Sequence, residues 1–126
     1  MAKPIKNVIY TMLLASVFVT LPTHAKTFDG VIKGAECHLY GKFCSESQSD
    51  VKPHFEKDFV LVTGDQYYLL DFLPLNEKLR LNNQAVRILG DLDRQRISVT
   101  SVDSLKNGEY TNIWNWEDYQ FEYYGI

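Results

Sequence analysis

The chain holds two cysteines, three histidines and four prolines in 126 residues, and these shortages exclude a good deal. No C-x-x-C occurs, so neither a thioredoxin-like redox pair nor, without C-x-x-C-H, a haem attachment site is encoded. No G-x-S-x-G elbow is present, and only His38 and His54 follow the N-terminal segment, so a nucleophile–base–orienter set has little to draw on. Basic residues are outnumbered, 13 against 16 acidic. A phosphate-gripping surface needs a basic stripe that releases counterions, and none is visible, so nucleic acid is not an expected partner. No apolar run reaches the roughly 18 to 20 residues that cross a bilayer as a helix. Repeats, low-complexity tracts and Pro/Gly linkers are also missing, so a single domain is expected.

What is present begins with a leader pattern. Lys3 and Lys6 form a basic start, and Val8 to Leu21 (VIYTMLLASVFVTL) form an apolar stretch. Pro22, Thr23, His24 and Ala25 then supply a helix break and a small-residue ending. The expectation is a signal peptide over 1–25, cleaved after Ala25, with no transmembrane span afterwards and a periplasmic or secreted product. Losing the two lysines leaves 11 basic and 16 acidic residues, a net charge of −5. The remaining domain, 26–126, is long enough for one modest core. In an exported chain Cys37 and Cys44 read as one disulfide, which in the chain-entropy model stabilises by roughly 2–3 kcal/mol.

Patterning over the domain is mostly β. TFDGVIKGAE, residues 27–36, reads as a first strand interrupted by Gly30 and Gly34. Residues 37–57 lack a period and read as a long loop pinned by the cysteines. FVLVTGDQYYLLDF, 59–72, is two β-rich runs around Thr63-Gly64-Asp65-Gln66, a hairpin signal. Leu75, Leu79 and Leu81 predict a short helix stopped at Asn82-Asn83. Val86 and Ile88, then Ile97 and Val99 after a turn at Asp93-Arg94-Gln95, predict a second antiparallel pair. Strand, long loop, hairpin, helix, hairpin is the order of a small five-stranded OB-like barrel, all-β with minor α, its helix lying between strands 3 and 4. The aromatic tail from about residue 106 is expected to be extended or hairpin-like, with Trp114 and Trp116 on one face and Tyr119, Phe121 and Tyr123 together on one face.

"AVRILGDLDRQRISVTSVDSL" resembles the closing strands of small bacterial exported OB-fold proteins of the BOF-like type, and "GVIKGAEC…FVLVTGDQYYLL" is similar to small secreted domains with a Cys after the first strand. The similarity covers roughly residues 28–105. It implies an envelope binding or stress-related module and carries over no catalytic residue.

The candidate chemistry follows. A binding face on strands 2 and 3 and the first loop would use Tyr67, Tyr68, His38 and His54, with a glycan or other small molecule as ligand. Trp114, Trp116, Tyr119 and Phe121 form a candidate surface for a protein partner, since Trp and Tyr are frequent interface anchors; the alternative is that the tail's tryptophans, like Tyr67 and Tyr68, complete a small core. Asp71, Asp91, Asp93 and Asp103 read as solvated or capping aspartates rather than a catalytic cluster. A non-enzymatic binding or interaction module without cofactor is expected. One alternative is a metal- or thiol-responsive protein using Cys37, His38, Cys44 and His54, although C-x₆-C is wider than structural zinc spacing. Another is an accessory subunit or inhibitor in a secreted complex.

Overall fold

A computed structural model of the chain describes residues 25–125, so the expected leader lies outside the described residues except for Ala25. The described residues form six strands and three short helices: β1 (Lys26–Gly34), α1 (Ala35–Tyr40), β2 (Phe59–Thr63), β3 (Gln66–Asp71), α2 (Leu75–Arg80), β4 (Ala85–Asp93), β5 (Arg96–Lys106), β6 (Glu109–Asn115) and α3 (Trp116–Tyr124). A single 3-10 turn, Lys52–Phe55, interrupts the segment between α1 and β2.

β1 holds the sheet together. Its first half pairs antiparallel with β4, Lys26 to Val31 opposite Gly90 to Ala85. Its second half pairs with β2, Val31 to Gly34 opposite Val62 to Phe59. β2 turns into β3 through Gly64, at φ 62°. β3 then runs parallel to the start of β5, Leu69–Asp71 beside Arg96–Ser98, and β5 returns antiparallel along β4. The pairings therefore pass through β1, β2, β3, β5 and β4 and return to β1. Glycine makes the tightest approaches: a Cβ on Gly30 would overlap the Val62 carbonyl, and one on Gly90 the Ser98 carbonyl. Gly90 also sits at a register shift between β4 and β5, where an extra residue bends and twists the strand.

The interior is the apolar side of these strands. Ile32, Leu61, Ile88, Ile97 and Val102 are fully buried, with Phe59, Leu70 and Trp114 completing the cluster. Along β5 the buried residues are Ile97 and Val99, then Val102 and Ser104; the alternation slips by one residue at Thr100, which is left unpaired by the register shift opposite Leu89 and Gly90. Among the described residues no helix is long and apolar enough to cross a membrane.

The structure corrects the expectations in four places. Six strands form rather than five. The first strand ends at Gly34 rather than Glu36, because 35–40 coil into α1, whose end is closed by Gly41 at φ 72°. The segment 37–57 is consequently not a continuous loop. The tail is neither wholly extended nor a simple terminal strand. It forms β6 on the second half of β5, Ser101 to Lys106, through a turn at Asn107-Gly108 with φ 51° and 81°, the positive values a tight hairpin turn needs. It then becomes α3, because the Asn115 side chain accepts the Asp118 N–H at 2.8 Å and caps the helix. The short helix expected between strands 3 and 4 is present as α2.

Candidate binding surfaces

The disulfide loop is built around a buried carboxylate. Cys37 and Cys44 are bonded, with Cα atoms 4.9 Å apart. Glu56, buried, accepts the N–H groups of Glu36 at 2.8 Å and Cys37 at 2.9 Å, capping α1 from 20 residues away. It fits because Gly34 has no Cβ; one would overlap the Glu56 side chain. Beside it, Lys78 of α2 is buried and donates to Asp58 Oδ1 at 2.7 Å, the same oxygen that accepts the Phe59 N–H. The Ala35 N–H reaches the Asp58 carbonyl at 3.0 Å. These contacts anchor both ends of the 35–58 segment on β1, β2 and α2.

That anchoring separates the residues grouped as one ligand face. His38 stands edge-on to Tyr67, with ring centroids 5.4 Å apart. Tyr68, the next residue on β3, turns to the other side and packs against Phe28 at 5.7 Å, on the rim of the core. His54 lies on the 3-10 turn and lines a different groove. The four residues are thus split among three places.

The groove beside His54 has a volume of about 570 Å³ and is predominantly polar, with Ser45, Gln48, Asp50, Asn82 and Asn83 among its lining residues. Ser45 Oγ joins its two walls by accepting Asn83 Nδ2 at 2.6 Å and Asn82 Nδ2 at 3.3 Å. Asp50 accepts the backbone N–H groups of Lys52 and Glu46, and these bonds hold its carboxyl below the ordinary aspartate pKa. Amides, a hydroxyl, a carboxylate and an imidazole at one opening can pair with a polyhydroxylated ligand. No local sequence pattern announced this set, because Ser45 and Asn83 meet only through folding.

Both cysteines are consumed in the disulfide, and the described residues contain no group of three or more His, Cys, Asp or Glu side chains placed to hold a metal ion. Nor do the four aspartates converge. Asp71 pairs with Arg96 at 2.6 Å, Asp103 accepts Asn112 Nδ2 at 3.0 Å, and Asp91 and Asp93 are exposed.

The tail carries a run of aromatic rings. Trp114, on β6, is buried in the core, and Trp116 and Tyr119 of α3 pack against it. Trp116 stacks on Tyr119 at 5.8 Å and meets Phe72 at 5.5 Å on the other side. Tyr119 continues to Tyr123 at 5.6 Å, and Tyr123 to Tyr124 at 5.0 Å. None of the nine residues of α3 is fully buried, and Phe121, Tyr123 and Tyr124 are each more than 60 % exposed. Of the four residues grouped as a partner surface, Trp114 therefore belongs to the interior, Trp116 and Tyr119 bridge, and Phe121 faces outward.

No family model matches this chain, and neither the curated proteins nor the solved structures give a match.

Proposed function

We propose that this protein is an exported, non-enzymatic OB-like module of the cell envelope that binds a protein partner through its aromatic tail helix. Support for the OB-like barrel comes from the closed circuit of five strand pairings, with α2 inserted between β3 and β4. The leader pattern and the Cys37–Cys44 disulfide support export.

The observation that carries the interaction reading is α3 itself. Five of its nine residues are aromatic and none is buried, yet its inner edge is fastened to the core through Trp116 and Tyr119. Exposed aromatic area on a positioned support is what partner anchors require, because little ordering entropy remains to be lost on docking. A photo-crosslinking amino acid at Phe121, compared with one at Thr100 on the exposed side of β5, tests this in the native envelope. A discrete adduct from position 121 alone is expected. Adducts from neither position, or equally from both, would exclude the tail as the recognition surface.

A second reading, binding of a glycan-like molecule, is favoured by the polar groove at Ser45, His54 and Asn83. Saturable binding lost in Asn83→Ala but retained in Phe121→Ser would select it over the first.

A further inference from the structure

Between α2 and the tail lies a second groove of about 410 Å³, walled by Trp114 and Tyr119 and edged by Glu77, Asp118 and Glu122. We propose that it receives an arginine- or lysine-bearing extended segment of the partner protein, an assignment that rests on the interaction reading above and names the chemistry of the segment bound.

Three observations converge on this occupant. The first is charge. Residues 107–126 contain Glu109, Glu117, Asp118 and Glu122 and no lysine or arginine, so the surface around the groove is acidic with no local counter-charge from its own segment. Two of the edge carboxylates are engaged: Glu77 pairs with Arg80, and Asp118 accepts Asn115 Nδ2 at 2.9 Å. Glu122 has no hydrogen-bond or ion-pair partner among the described residues and is the carboxylate left for a ligand.

The second is the aromatic wall. A guanidinium or ammonium is attracted to ring faces as well as to carboxylates. The chain already uses that chemistry one strand away, where the Arg87 guanidinium sits 4.0 Å from the Tyr110 ring centroid. The third is the Trp114 indole N–H, which is buried with no acceptor among the described residues although Trp114 lines the groove. A buried donor without a partner is uncommon in a finished interior. An extended peptide brings a cationic side chain for the carboxylate and the rings, and it packs against the wall behind which the unpartnered indole lies.

The test uses the disulfide-intact domain labelled with ¹⁵N and two blocked pentapeptides, Ac-Ala-Ala-Arg-Ala-Ala-NH₂ and its citrulline counterpart, which keeps the shape and loses the charge. A saturable shift of the Trp114 indole signal by the arginine peptide is expected, with the citrulline peptide about tenfold weaker from the combined loss of ion pair and cation–π contact. Glu122→Gln should weaken the arginine peptide about threefold without altering the urea midpoint. Equal binding of the two peptides, indifference to Glu122→Gln, or no shift at Trp114 would overturn the assignment. Tighter binding by spermidine than by the arginine peptide would overturn it too, by making the occupant a free polyamine. A position-121 adduct combined with any of these failures leaves the interaction reading in place and removes only the cationic segment.

Discussion

Gly34 and Glu56 share one volume: the carboxylate that caps α1 occupies space that a side chain on Gly34 would fill. Glu56→Ala removes two charged hydrogen bonds to part-buried N–H groups and is expected to destabilise by about 1.5–3 kcal/mol. Gly34→Ala is expected to destabilise by about 1–3 kcal/mol through overpacking. Because each change relieves the other's conflict, the double variant should be less destabilised than the sum of the singles. Urea unfolding of all four proteins measures that coupling, and strict additivity would contradict it.

The disulfide closes a loop across a sequence separation of 7. Cys37→Ser/Cys44→Ser is expected to lower stability by about 2.5 kcal/mol in the chain-entropy model. Intact mass of the purified protein should rise by the mass of two hydrogen atoms on reduction. A mass unchanged by reductant would show free thiols and reopen the metal- or thiol-responsive alternative.

Lys78 and Asp58 form an unequal pair, since the Lys78 side chain is 8 % exposed and that of Asp58 41 %. Removing the half-exposed partner strands a buried ammonium, whereas replacing the buried one with an apolar chain leaves a carboxylate in reach of water. Asp58→Ala should therefore cost about 3–5 kcal/mol, and Lys78→Met clearly less. Thermal melts of the two variants decide this, with the reverse ranking as the contrary outcome.

Asp29 binds Arg87 through Oδ1 at 2.7 Å and Oδ2 at 3.1 Å, joining β1 to β4, and hydrogen bonding from Arg87 holds its carboxyl below the ordinary value of 3.8. A depressed folded-state value adds stability that is complete above the unfolded pKa and is lost as pH falls through the folded one. Wild type and Asp29→Asn should thus differ most near neutrality and converge below about pH 4. A difference that stays constant from pH 7 to pH 2 would rule the ion pair out as its source.

The interior and exposed aromatics of the tail should separate on substitution. Trp114, 8 % exposed, belongs to the core, and Trp114→Leu should destabilise by about 2–4 kcal/mol with loss of the blue-shifted emission. Phe121→Ser, at an exposed position, should stay within about 0.5 kcal/mol of wild type. Equal effects would mean that α3 packs as ordinary interior.

Much of the β pattern was legible because alternation and turn chemistry are local. Val86, Ile88, Ile97 and Val99 fall on the buried side as their spacing predicts, and the hairpin turns at Gly64-Asp65 and Arg94-Gln95 as its composition predicts. The sixth strand had a local signal too, Asn107-Gly108 ahead of a tail whose alternation suits an extended strand or hairpin. α1 had none: its first N–H groups are satisfied by a residue 20 positions later, and no window centred on 35–40 contains Glu56. The aromatic tail was legible as chemistry and not as geometry, since Asn115 begins a helix in the middle of a run whose alternation suits a strand.

Composition and spacing alone were enough for the mostly β class, the leader pattern, the pairing of the only two cysteines and the acidity of the tail, because each depends on residue type or on neighbours within a few positions. Tertiary structure decided which aromatics are interior and which are exposed. It sent Tyr67 and Tyr68 to different surroundings, drew Ser45 to Asn83, and set Glu122 and Trp114 along one groove. Those outcomes depend on strands closing around a shared core, where residues distant in sequence compete for the same volume and the same hydrogen bonds.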